Sequence, residues 1–259
     1  MSDICSVIKL HIDALVRTRG EKDLWDAAVL MAAIKNEIKT PVVTAPYPEH
    51  PGHAAAMRRN REMIREFASN PLREAHPTIG IHDSLIALRA EQCTSVDLPC
   101  GVSGLGGRQY IRLMHDVKPV LDQYKIKPGF LVLGCIIGNM LLNRYSWGQC
   151  VSEFQAVYAE ARLLWPDIKI ILYGLPPVFD EYLTQHTWQA EQLMIWKVAA
   201  DVKAGNNAVY VSLKKMSIGG VWPRTKLSSD VVHLTATGFI RFDRLLNEAH
   251  RAPAGSVLS

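Results

Sequence analysis

Apolar positions return along this chain in two rhythms. Before residue 77 the rhythm is helical. Ala27, Leu30, Met31, Ile34 and Ile38 recur at three- and four-residue spacing, which predicts an amphipathic helix. A second helix is expected over 53–67, with Arg58, Arg59, Arg61 and Arg65 on its surface. Arginines placed this way usually form a solvated face; the alternative is an anion site. Between the two helices, Pro41-Val-Val-Thr-Ala reads as a short strand and Pro46-Tyr-Pro-Glu-His-Pro-Gly as a turn-rich link.

From residue 77 the rhythm becomes strand, turn, helix. Short β-branched runs predict strands at 78–81, 95–98, 130–137, 168–173 and 208–212. Helical patterns fill 107–124, 147–165, 183–202 and 236–249. Strands alternating with helices of this length form parallel βαβ units. Continuously apolar runs such as Phe130-Leu-Val-Leu fit a sheet covered on both faces. The expected organisation is a mostly helical extension over 1–76 followed by an α/β domain over 77–259. Glu37-Ile-Lys and Asp167-Ile-Lys, each ahead of prolines and a helix, make an internal echo too short to establish a duplication.

Composition adds limits rather than direction. The 259 residues suffice for one sizeable core, with 48% hydrophobic and 21% charged residues. The net charge of +4 is mild, and no dense Lys/Arg stripe interleaved with aromatics argues for nucleic acid. Five cysteines, an odd number without CxxC spacing, make neither a disulfide framework nor a zinc site. No apolar run reaches the length of a membrane span, and the first residues lack the basic and apolar regions of a signal peptide. These features predict a reduced, cytoplasmic, soluble protein without cofactor or metal.

In parallel sheets ligands bind beyond the carboxyl ends of the strands, so the residues that follow each strand carry the chemistry. After the first comes His82-Asp83-Ser84-Leu85. A serine on a tight strand-to-helix turn offers an exposed hydroxyl and a backbone N–H beside a helix N-terminus, which suits a nucleophile generating an oxyanion. The plainer reading is an Asp-Ser helix cap. After the second strand stands Cys100-Gly-Val-Ser-Gly-Leu-Gly-Gly. Its glycines let backbone approach a ligand, while the Gly-Lys-Ser/Thr of a phosphate loop and the spacing of a dinucleotide loop are both missing. After the third, Asn139 in Ile137-Gly-Asn-Met has an amide able to donate into the cleft, or forms a turn. Before the last helix, Ser229-Asp-Val-Val-His places Asp230 and His233 three residues apart, so the carboxylate can orient the imidazole and leave its other nitrogen to deprotonate a serine. A metal reading of that pair lacks further ligands with clear spacing.

In their order and placement these four features resemble the SGNH (GDSL) hydrolase superfamily. His82-Asp83-Ser84-Leu85 is similar to its Gly-Asp-Ser-Leu block, Val102-Ser103-Gly104 to the second, Ile137-Gly-Asn139-Met140 to the Gly-x-Asn-Asp third, and Asp230-Val-Val-His233-Leu to the last. Leu175-Pro176-Pro177 also resembles that family at the fourth strand's end. The likeness spans roughly residues 77–250 and leaves the first 76 without a counterpart. It implies a three-layer α/β/α sandwich with a central parallel sheet, flavodoxin-like, that hydrolyses carboxylic esters, thioesters or sugar O-acyl groups without a metal. By that resemblance Ser84 is the nucleophile, His233 the general base and then acid, and Asp230 its orienter. The Ser84 N–H, the Gly104 N–H and the Asn139 side chain form the oxyanion hole, with Gly101 the alternative to Gly104. Two positions depart from the pattern: His82 stands for a glycine and Met140 for an aspartate. They leave open a second reading, a catalytically degenerate binding or scaffold protein acting through its N-terminal region. Pocket walls are expected from 145–147, 179–188 and 218–222. The expected partner is a small-molecule, lipid or sugar acyl ester; the sequence leaves the oligomeric state undetermined.

Overall fold

The structure is a computed structural model, and it describes residues 52–82, 93–101, 106–134, 136–137, 140, 145–174, 181–217 and 234–258. The chain divides into two compact units, Met1–Pro46 and Tyr47–Ser259, and all described residues belong to the second.

Six parallel strands form one sheet in the order β2-β1-β3-β4-β5-β6. They are β1 (Thr78–His82), β2 (Leu98–Gly101), β3 (Phe130–Leu133), β4 (Lys169–Tyr173), β5 (Ala208–Val211) and β6 (Val257–Leu258). Among the described residues the α-helices with given bounds are α1 (His53–Ser69), α2 (Gly107–Gln123), α3 (Trp147–Leu164), α4 (Glu181–Lys203) and α5 (Ala236–Arg251). This is the α/β architecture that the alternating rhythm predicts, a parallel sheet flanked by helices.

Side-chain alternation explains how both faces are covered. Ile79, Ile81, Leu131, Leu133, Ile170 and Leu172 share one face and are almost wholly buried. The steps β2→β3→β4→β5 carry the chain the same way across the sheet. Right-handed crossovers therefore put α2, α3 and α4 together on that face. Thr78, Phe130, Lys169 and Tyr173 point to the other face, which α5 covers. The Phe242 ring meets Tyr173 edge-on at 5.0 Å, and His250 approaches the Phe130 ring at 4.6 Å and the Thr78 hydroxyl at 3.2 Å. Lys169 is only 7% exposed, and its ammonium donates to the His250 and Ala252 carbonyls at 2.9 and 2.6 Å and so caps the end of α5.

Several boundaries differ from the sequence reading. β2 begins at Leu98, three residues after the predicted start. The Ser95 N–H and hydroxyl are engaged by the Asp243 carboxylate of α5 at 2.8 and 2.7 Å, and strand pairing begins only at Leu98 opposite Ile79. β3 ends at Leu133 rather than at residue 137: the chain turns at Gly134 and is helical at 136 and 137. β6 was not predicted, and its two residues are too few to show alternation. Within the stretch read as an N-terminal extension, α1 packs on α2 and β2 and contributes Met57 and Ile64 to the core. His53 of α1 hydrogen-bonds Asp116 of α2 at 2.9 Å.

Candidate functional site at the carboxyl edge of the sheet

The strand order reverses at β1: the chain moves outward to β2, then returns past β1 to β3. Such a switch point opens a crevice beyond the carboxyl ends of the two strands between which the chain diverges. Here it lies between His82, the last residue of β1, and Gly134, just after β3. The strand ends are level. His82 pairs with Gly101 of β2, Ile81 pairs with Leu133, and the Gly134 N–H donates to the Ile81 carbonyl at 3.1 Å.

Ser84, Gly104, Asn139, Asp230 and His233 all lie outside the described residues, as do Leu175-Pro176-Pro177. The residues flanking them are described. Ser84 follows His82 by two positions, Gly104 follows Gly101 by three, and Asn139 precedes the fully buried Met140. These three segments therefore leave the sheet from the adjacent ends of β1, β2 and β3.

α5 decides where the fourth segment comes from. Its Phe242 meets Tyr173, at the end of β4, whereas its His250 meets Thr78 and Phe130, at the starts of β1 and β3. The helix thus runs antiparallel to the strands, and its N-terminus lies at the carboxyl edge. Thr235 caps it, accepting from the Gly238 N–H at 3.1 Å, only two residues after His233.

The two departures from the SGNH pattern have clear surroundings. His82 is fully buried and lies on the face that α5 covers. A Cβ on Gly80 would come within 2.9 Å of the His82 ring and 3.0 Å of Val96, so the glycine two residues earlier makes the room the imidazole occupies. A Cβ on Gly134 would stand 3.1 Å from the His82 Cα. Met140 is fully buried in the hydrophobic core, where a thioether packs without the partner a carboxylate needs.

Two of the three expected pocket walls meet. The Trp147 ring stacks on His186 at 5.5 Å with 6° between planes, joining the starts of α3 and α4, and His186 also hydrogen-bonds Gln189 at 2.9 Å. Trp188 is 45% exposed. Residues 179–180 and 218–222 lie outside the described residues. Sequence reasoning missed two side chains at the base of the glycine-rich segment. The Asn60 amide donates to the Gly101 carbonyl at 3.3 Å, and the Glu153 carboxylate accepts the Gly107 N–H. Neither contact has a signal in the sequence, because each joins segments more than forty residues apart.

Cys93, Cys100 and Cys150 are buried free thiols. Burial pushes the Cys100 thiol up to about 12, and burial together with the Asp243 carboxylate raises Cys93 further. Neither supplies a thiolate at neutral pH. Among the described residues no three His, Cys, Asp or Glu side chains gather as a metal site, and no helix is long and apolar enough to cross a membrane.

No family model matches the chain, and no curated protein matches it. Solved structures do. A protein from Streptococcus pneumonia named for platelet activating factor is 14% identical, with a TM-score of 0.55, covering 75% of this chain and 92% of its own. A Bacteroides fragilis protein named for acylhydrolase activity is 14% identical at a TM-score of 0.54, covering 75% and 95%. A GDSL-like lipase from Bacteroides thetaiotaomicron is 14% identical at 0.51, covering 75% and 98%. The chain has the fold of these proteins, the SGNH type of α/β sandwich.

Proposed function

We propose that the protein is a serine hydrolase that cleaves an acyl ester, whether carboxylic ester, thioester or sugar O-acyl group. The Ser84 hydroxyl attacks the acyl carbon while His233 takes its proton. His233 returns that proton to the leaving alcohol or thiol, and water then releases the acid from the acyl-enzyme by the same route. Asp230 holds the imidazole and stabilises it when charged. The Ser84 N–H, the Gly104 N–H and the Asn139 amide receive the oxyanion.

One observation carries the reading. The described ends of β2, β1 and β3 lie at the switch point and the start of α5 lies on the same edge of the sheet; the motif residues are two to six positions past those strand ends or ahead of that helix. The fold shared with the GDSL-like lipase and the Bacteroides fragilis protein supports it further. The buried packing of His82 and Met140 gives each departure a place in the core.

The test is labelling of the purified chain with a fluorophosphonate, the modified residue mapped by mass spectrometry, alongside turnover of short p-nitrophenyl esters. Ser84 is the expected site, and Ser84→Ala abolishes both signals while leaving the melting temperature within a few degrees. Absence of labelling and of turnover across a broad acyl panel rejects the proposal.

A further inference from the structure

The glycine-rich segment between β2 and α2 is held at both ends by side chains from other helices. Upstream, Gly101 ends β2 in register with His82, and Asn60 of α1, 5% exposed, donates to its carbonyl. Downstream, Gly106 is the N-cap of α2 and makes no capping bond, since it has no side chain to do so. The first N–H of the helix, at Gly107, is instead taken by the Glu153 carboxylate reaching across from α3.

The two glycines follow from this docking. A Cβ on Gly107 would stand 2.7 Å from the Glu153 Cβ, 3.0 Å from its carbonyl oxygen and 3.1 Å from Val157. A Cβ on Gly106 would meet the Glu153 carboxylate at 3.0 Å, with the Tyr145 hydroxyl 3.8 Å away. The start of α2 is therefore pressed against the backbone of α3, and a carboxylate sits where the helix dipole favours negative charge. Only residues 102–105 separate the two anchored ends.

We infer that Glu153 is a positioning residue, which holds the first turn of α2 and through it the chain leading out of residues 102–105, where the proposed oxyanion donor Gly104 resides. The inference rests on the ester-hydrolase reading above. A backbone N–H stabilises an oxyanion only when it is held in place before the reaction, because reorienting it during the reaction forfeits the gain. Glu153 touches neither substrate nor nucleophile; it acts through the backbone it fixes.

The experiment compares Glu153→Gln with Glu153→Met in the full chain. Glutamine keeps an oxygen able to accept from Gly107, whereas methionine keeps the length and removes the acceptor. On a p-nitrophenyl ester, E153M is expected to lose about tenfold or more in kcat, bounded by the roughly 10²–10³-fold cost of a whole oxyanion donor, with little change in KM. E153Q is expected to recover most of that rate. Equal kcat in E153M and wild type overturns the inference, and so does equal loss in both variants. If wild type itself neither turns over esters nor is labelled at Ser84, the ester-hydrolase reading fails instead. Amide exchange at Gly107 then still decides the capping role: faster in E153M than in E153Q upholds it, and equal rates overturn it.

Discussion

Gly134 and Gly174 show how single residues are set by neighbours far away in sequence. A Cβ on Gly134 would collide with the Tyr173 hydroxyl from β4, and one on Gly174 with the Tyr210 hydroxyl from β5. Each glycine is the place where the next strand's tyrosine ends. Tyr173 and Tyr210 are 0% and 1% exposed, so neither ring can swing away. Gly134→Ala is therefore expected to cost about 1–3 kcal/mol, the usual range for an overpacked core. Thermal unfolding of Gly134→Ala, Tyr173→Phe and the double variant checks it. The double variant should be more stable than the sum of the single effects allows, because removing the hydroxyl relieves the clash. Full additivity would show that the two do not compete for this space. Ser84 and His233 were readable from the sequence as residue types in a recognisable order. The glycine–tyrosine pairs were not, since nothing local links residue 134 to residue 173.

Between elements, polar networks do what apolar packing alone does not. Asp201 of α4 accepts from the Tyr158 hydroxyl at 2.5 Å, from Arg162 Nε at 2.8 Å and from the Asn206 amide at 2.9 Å. Arg162 of α3 also donates to the Ile168 and Asn207 carbonyls, just before β4 and β5. One carboxylate thus ties two helices to the entries of two strands. The side chains of Arg162 and Asp201 are 12% and 7% exposed, so the pair is poorly screened by water. Burial, then the Asp201 carboxylate, raises the Tyr158 phenol well above its ordinary range, so it stays a donor. Asp201→Ala leaves a buried guanidinium without its counter-ion, a loss of about 3–5 kcal/mol. Tyr158→Phe removes one hydrogen bond and is expected to cost about 1 kcal/mol. Urea unfolding of the two variants should separate them clearly; equal costs would mean the network is not organised around Asp201. Helices α2, α3 and α5 were visible as apolar periodicity close to their observed limits. The late start of β2 was not, because Asp243 and Ser95 lie 148 residues apart.

Across the whole molecule, α1 belongs physically with the sheet although its sequence gives no sign of it. Met57 and Ile64 are core residues, and Asn60 reaches the end of β2. Removing residues 1–76 uncovers the faces of α2 and β2 that α1 shields, and loss of buried side chains such as Ile64 alone costs about 2–5 kcal/mol each. The chain from residue 77 onward is therefore expected to unfold at much lower temperature, or without a cooperative transition, whereas the chain from Tyr47 onward keeps α1 and its cooperativity. Calorimetry of the two truncations tests this. Indistinguishable melting of the two would make α1 dispensable to the core.

The alternation of β-branched runs with helical periods was enough to establish a parallel α/β sheet. The spacing of Ser84, Gly104, Asn139, Asp230 and His233 was enough to suggest an acyl-transfer site. Both are local or ordered properties of the chain, so they survive being read in one dimension. Strand order, the switch point between β1 and β3, and the direction of α5 across the sheet were decided by tertiary packing. So were the hold of Glu153 on α2 and the space that Gly80 leaves for His82. These depend on which surfaces meet when the chain buries its apolar area, and the energy of that burial depends on contact rather than on order along the chain.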